Sequence, residues 1–355
     1  MLTTLFHIPS RIPWGEGSLP VFGVGLLLAV IIAVALVAGA ATVARHGWRA
    51  AGSILGWPLV LAAVVVVAVL PALDDGRGVP IRGYGAMLLV AAAAGIRLSI
   101  VRGRRLGFDA DTILALGMEM FLAGIVGARL FYVLQYHDTF FPPGRPLGQA
   151  ILDAINVPAG GLVVFGSLPT AGAAAWWFAR RRGLPFLRLA DCVVPGMLLG
   201  LAIGRIGCFL NGCCYGGPCD LPWAVRFPAE SPPWIDQVRR GLLPPPAAGG
   251  SGWSLPVHPA QLYAAIDAAL LAALAVVFTP VARREGEVLA LVLTLHPISR
   301  ILLEAIRVDE PPALGTPLSI SQLVSVALLG TAVALWWWIA RRGRLCSADV
   351  SERAP

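Results

Sequence analysis

The 355-residue chain has no lysine, five histidines and little charge of either sign, with Asp, Glu, Lys and Arg together making up 13%. About a quarter of the residues of an ordinary soluble domain are charged. That deficit, beside 57% apolar residues and a mean hydropathy of +0.77, excludes such a domain and points to an integral membrane protein. Without lysine, the net charge of +7 comes from arginine alone. There is no C-x2-C pair, and His7, His46, His137, His258 and His296 show no ligand-like spacing. A metal centre of the usual zinc or iron–sulfur pattern is therefore not expected.

Apolar runs long enough to cross roughly 30 Å of hydrocarbon recur throughout the chain. They fall near 19–44, 54–73, 83–101, 112–135, 160–179, 190–211, 261–280, 287–306 and 318–340. The expectation is an all-α, polytopic protein with about nine transmembrane helices. The first run is too long for a signal-peptide core and reads as a retained span. Arginines cluster after every odd-numbered run: Arg45 and Arg49, Arg102 to Arg105, Arg180 to Arg188, Arg283 and Arg284, and Arg341 to Arg344. The positive-inside rule then puts the N-terminus outside and the C-terminus in the cytoplasm. The basic excess marks topology, not nucleic-acid binding.

PVFGVGLLLAV at Pro20 and PIRGYGAMLLV at Pro80 share a proline, two glycines and an apolar run. This suggests a two-helix extension over 1–79, a seven-helix core over 80–345 and a cytoplasmic tail over 346–355. The long Pro- and Gly-rich stretch 212–257 is expected to be an extracytoplasmic loop, and loops of that length are usually functional. Trp336, Trp337 and Trp338 read as an interfacial belt.

Arg82, Arg129, Arg205 and Arg300 fall within or at the edge of the runs, and the topology puts all four at one outer depth. Tyr84, His258 and Gln261 share that level. An arginine at membrane depth costs several kcal/mol unless it is paired or hydrated, and its planar fork suits a phosphate. The grouping suggests an anion site facing phospholipid heads, with snorkelling as the alternative for each arginine taken singly. In SRILLEAIR, Arg300, Glu304 and Arg307 are spaced four and three apart, so they share a helical face. Gly196, Gly200 and Gly204 have small-xxx-small spacing, which suits close helix packing. HPAQLY starts a helix with Pro259 and leaves the His258 imidazole available as a proton acceptor.

Cys208, Cys213, Cys214 and Cys219 read C-x4-C-C-x4-C. Outside the membrane, an even number of cysteines fits structural disulfides or small buried thiols better than redox catalysis.

GRIGCFLNGCCYGGPCDLPWAVRFP resembles the signature of bacterial prolipoprotein diacylglyceryl transferases. RGYGAMLLV, VGARLFYV, GGLVVFGSL, HPAQLY, SRILLEAIR and ISQLVS follow in that family's order. The resemblance implies transfer of diacylglyceryl from phosphatidylglycerol to the lipobox cysteine of a preprolipoprotein, at the periplasmic face of the cell inner membrane. It implies a monomer and no cofactor. Arg205, Arg300, Glu304 and Tyr84 match family functional positions, and His258 joins them as a catalytic candidate. The substrate-binding candidates are Arg205, Asn211, Gly216, Arg129, Gln261 and Arg307. The chain departs from the family pattern at Phe165, where a histidine is usual. It also departs at Cys208 and Cys213, where Asn and Glu are common, and at Ala264, where Glu is usual. A non-catalytic lipid- or lipoprotein-binding paralogue and a membrane thiol–disulfide protein are the alternatives.

Overall fold

The computed structural model describes residues 4–14, 17–22, 24–46, 62–76, 78–142, 144–156, 160–244, 252–308 and 315–341. The chain divides into two compact units, Met1–Ala86 and Met87–Pro355. The expected tail 346–355, Cys346, Arg49 and the first part of the second apolar run lie outside the described residues.

The N-terminal unit corrects the all-α expectation. Strand β1 (Thr4–Ile8) pairs antiparallel with β4 (Val79–Arg82), and β2 (Arg11–Trp14) pairs antiparallel with β3 (Gly17–Pro20). These strands are four or five residues long and carry Pro13, Pro20 and Pro80, which only short edge strands tolerate. That is why hydrophobic periodicity does not reveal them. Two helices complete the described part, α1 (Leu26–His46) and the short apolar α2 (Ala62–Ala72). In the near-repeat, Pro20 closes β3 six residues before α1 begins, and Pro80 lies within β4, three residues before the next helix begins.

That helix, α3 (Gly83–Arg105), lies mostly in the second unit. It is followed by α4 (Ala110–Gln135), a single turn α5 (His137–Phe140), α6 (Leu147–Ile155), α7 (Val164–Arg182) and α8 (Phe186–Asn211). Next come α9 (Pro232–Arg239), α10 (Ala260–Phe278), α11 (Glu287–Glu304) and α12 (Ile320–Arg341). Six helices among the described residues are long and apolar enough to cross a membrane: α1, α3, α4, α8, α10 and α12. The expectation of nine exceeds this because α7 ends in Arg180, Arg181 and Arg182, α11 carries Glu287, Arg300 and Glu304, and α2 is short. Leu89, Val126, Leu270 and Val333 face outward and exposed, as side chains do when the solvent is hydrocarbon.

Helix pairs α4 with α7, α8 with α10, and α11 with α12 build the second unit. Close crossings rest on glycine. A Cβ on Gly196 would collide with Ser99 Oγ and the Gly95 carbonyl, and one on Gly200 would stand 3.3 Å from the Ala91 carbonyl. Gly204, the third of the spaced glycines, faces open space. Two buried charges that spacing does not reveal organise the other end of the bundle. Arg102 donates to the carbonyls of Cys192 (3.1 Å) and Asp191 (2.9 Å) and to Thr279 Oγ1 (2.8 Å). Asp191 accepts from the Gly286 (2.6 Å) and Leu289 (2.8 Å) amides and so caps α11 from a neighbouring helix. Trp336 donates to Thr294 Oγ1 at 3.1 Å and thus ties α12 to α11, unlike a residue of an exposed belt.

Candidate functional site

The end of α8 is set by Gly212, whose left-handed φ of 76° closes the helix and leads into the Cys213–Gly217 loop. That loop joins two other elements. Gly216 N–H donates to the His258 carbonyl (3.0 Å), His258 N–H donates to the Gly217 carbonyl (3.0 Å), and Gly217 N–H donates to the Ile306 carbonyl (2.9 Å). The C-terminal end of α8, the start of α10 and the end of α11 are thereby held together. Gly216 is required by sterics, because a Cβ there would stand 2.6 Å from the His258 Cβ. Gln261, fully buried in the first turn of α10, donates Nε2 to the Cys213 carbonyl at 2.9 Å.

Arg300 Nη1 pairs with Glu304 Oε2 at 2.6 Å, and Arg307 Nη1 lies 3.6 Å from the same oxygen. Arg300 also donates to Ser321 Oγ on α12 at 2.8 Å. Glu304 is buried and the two arginines are largely shielded: 14% of the Arg300 side chain, 5% of the Glu304 side chain and 6% of the Arg307 side chain is exposed. Such burial makes each charge depend on its neighbours.

Arg205, half-buried near the end of α8, has no hydrogen-bond or ion-pair acceptor among the described residues. It lines a cavity of about 650 Å³ together with Arg300, His296 and Phe165. Apolar side chains of α7, α8, α11 and α12 form most of the wall, from Arg205 back to Leu189. That span is about 24 Å along α8 at 1.5 Å per residue. The cavity is an apolar slot with two guanidiniums at one end.

The other expected site residues are distributed unevenly. Arg129 is buried and bound elsewhere: it donates to the carbonyls of Ala154 (2.7 Å), Asp153 (2.6 Å), Gly160 and Gly161 (3.0 Å). It thus fastens α4 to α6 and the segment after it, apart from Arg205. Arg82 in β4 and Tyr84 in the first turn of α3 belong to the N-terminal unit. Asn211 is exposed as the last residue of α8. Sequence reasoning missed His296. It lies one turn before Arg300 on α11, and its Nδ1 is buried with no partner among the described residues. The same is true of His258 Nδ1 and Gln261 Oε1. Buried polar atoms are nearly always bonded, so such orphans mark places where a ligand or water completes the structure. The i, i+4 relation of His296 to Arg300 was the available signal.

The five described cysteines are all free thiols, so of the two expected arrangements, disulfides or small buried thiols, the structure shows thiols, with Cys192 buried and the other four partly buried. Cys208, Cys213 and Cys214 instead gather with their sulfurs within 4.8 Å of one another. Hydrogen bonds from Cys208 and Cys213, opposed by burial and helped by the Arg205 and Arg307 charges, hold the Cys214 thiol well below its ordinary pKa. For Cys213, the hydrogen bond with Cys208 pulls downward, but that with Cys214 and burial prevail and push it up.

The family model described as prolipoprotein diacylglyceryl transferase matches residues 71–338, about three quarters of the chain. A phosphatidylglycerol–prolipoprotein diacylglyceryl transferase of Rhodopirellula baltica is 37% identical over 254 residues, covering 68% of this chain and 50% of that protein. The chain thus spans about half the length of that relative. Proteins of the same name from Clostridium tetani and Paracidovorax citrulli are 29% and 34% identical. Those matches cover 72% and 66% of this chain, and 92% and 77% of the relatives. With the family model matching well over half of its length, the chain belongs to the prolipoprotein diacylglyceryl transferase family.

Proposed function

We propose that this chain transfers the diacylglyceryl group of phosphatidylglycerol to the thiol of a lipobox cysteine in a prolipoprotein, forming a thioether and releasing glycerol phosphate. It is a transferase of lipoprotein biosynthesis. The observation that carries the reading is Arg205, a guanidinium with no hydrogen-bond or ion-pair acceptor among the described residues, at one end of a long apolar cavity. The cavity suits acyl chains. The guanidinium suits the phosphate, which gains negative charge as the glyceryl C–O bond breaks.

The acceptor thiol, with a pKa of about 8.5 when free, must lose its proton to become the nucleophile. Phe165 cannot take that proton. Of the groups lining the same cavity, the His296 imidazole can. Glu304 is held between Arg300 and Arg307 and serves to keep Arg300 in place. His258, Gln261, Asn211 and Gly216 shape the loop beside Arg205, and Tyr84 and Arg129 keep supporting roles.

The reading includes nine spans, with the N-terminus outside, the C-terminus in the cytoplasm and the site facing the periplasmic leaflet of the inner membrane. The arginine-rich connections support this orientation. A single chain contains the cavity, and neither substrate requires a diffusible cofactor or a nucleic acid. Phe165 favours a second reading, a lipid-binding paralogue without catalysis. Complementation of a strain depleted of its own transferase separates the two: growth with mature lipoproteins supports the enzyme, and failure despite normal membrane insertion supports the paralogue.

A further inference from the structure

We infer that Cys208, Cys213 and Cys214 form a three-thiolate site for a zinc ion, which joins the last turn of α8 to the loop that follows it. The three sulfurs lie within 4.8 Å of one another. Tetrahedral zinc, with Zn–S near 2.3 Å, holds its sulfur ligands about 3.8 Å apart, so an inward movement of at most about 1 Å completes the set. Thiolates select soft cations such as zinc or monovalent copper. Three protein ligands with a fourth position open to solvent are an established zinc arrangement.

The backbone supports the assignment independently. Cys213 and Cys214 are adjacent, and in an extended chain adjacent side chains point to opposite sides. Cys214 instead has a left-handed φ of 61°, rare among residues other than glycine, and its sulfur joins that of Cys213. Backbone held in that region is strained and is concentrated at ligand clamps and active sites. Gly212 turns the chain so that Cys213 N–H donates to the Cys208 carbonyl at 3.2 Å, and Gln261 holds the Cys213 carbonyl. An odd number of mutually adjacent thiols also suits a cation better than a disulfide, which would leave one thiol over.

Zinc binding takes all three sulfurs as thiolates, releases to solvent the thiol protons still present, and leaves one net negative charge on the complex. Arg205 and Arg307, the cations acting on Cys214, offset that charge. Cys208 is three residues from Arg205, so the ion fixes the loop that borders the arginine. Its value to catalysis rests on the transferase reading, but its existence does not.

The test uses the full chain, purified in detergent without chelators and analysed for bound metal. The expected result is an equimolar amount of zinc, and replacement by Co2+ giving a sulfur-to-cobalt charge-transfer band. Loss of an outer-shell partner alone costs about 10–100-fold in metal affinity, so Cys208→Ser and Cys214→Ser should each weaken zinc binding by at least that factor. Cys219→Ser, outside the trio, should bind as the parent does. Arg205→Ala should retain zinc even where transfer is lost, which separates this site from the transferase reading. Zinc content unchanged in both Cys208→Ser and Cys214→Ser, copper in place of zinc, or a disulfide among the three cysteines with no metal retained would overturn the proposal.

Discussion

The backbone N–H of Gly216 donates to the carbonyl oxygen of His258 at 3.0 Å, and the two residues approach so closely that Gly216 has no room for a side chain. This contact brings the loop after α8 to the start of α10. Gly216→Ala should therefore cost about 1–3 kcal/mol through overpacking, lower the thermal midpoint and depress transfer. Gly217→Ala would place its Cβ 3.2 Å from the Val308 Cγ1 and 3.9 Å from the Ile306 carbonyl oxygen, and should be milder on both counts. Thermal unfolding of the two variants in detergent checks the order.

Glu304 is the common partner of Arg300 and Arg307. Removing one member of a buried ion pair leaves an uncompensated charge and costs about 3–5 kcal/mol. Glu304→Gln is expected to approach that loss and to lower both stability and turnover, while Glu304→Asp should retain part of each. Equal stability of the Gln variant and the parent would remove the pairing role.

The α3–α8 crossing makes a similar contrast. Gly196→Ala forces a methyl group against Ser99 and the Gly95 carbonyl, with an expected cost of about 1–3 kcal/mol, whereas Gly204→Ala enters open space. Comparing their unfolding midpoints tests whether the spaced glycines are equivalent. The structure predicts that they are not.

Much of this was legible in the sequence, and the reasons are specific. The Arg300–Glu304–Arg307 face follows from helical spacing alone, as does the close packing of Gly196 and Gly200. Arg129 resembles Arg205 in sequence but differs in use, because its partners are backbone carbonyls 24 to 32 residues away, which no side-chain pattern records. Arg102 is concealed within an arginine cluster that reads as topology. The cysteines have no metal-like spacing in sequence. They meet because a helix end and a left-handed residue fold a C-x4-C-C run back on itself. The strands of the N-terminal unit are too short and too rich in proline to show alternation.

Phe165 and His296 line one cavity. If His296 accepts the thiol proton, His296→Gln should reduce kcat by about 10²–10⁴-fold, the usual worth of a general base, with little change in KM for phosphatidylglycerol. Adding Phe165→His to that variant should restore part of the rate. The charged groups acting on the imidazole are Asp267 from α10, Arg300 on its own helix and Arg205 from α8, so the pH profile should also change on Asp267→Asn. Unchanged kcat in His296→Gln would return the role to another group.

The phosphate-binding role of Arg205 is tested by thioether formation on a lipobox peptide by Arg205→Ala in phosphatidylglycerol vesicles. Removal of a group that stabilises the developing charge typically costs about 10²–10³-fold in rate. A loss of that size is expected with the protein still folded, and partial retention in Arg205→Lys, which keeps the charge but loses the bidentate fork. Undiminished transfer by Arg205→Ala would contradict that role.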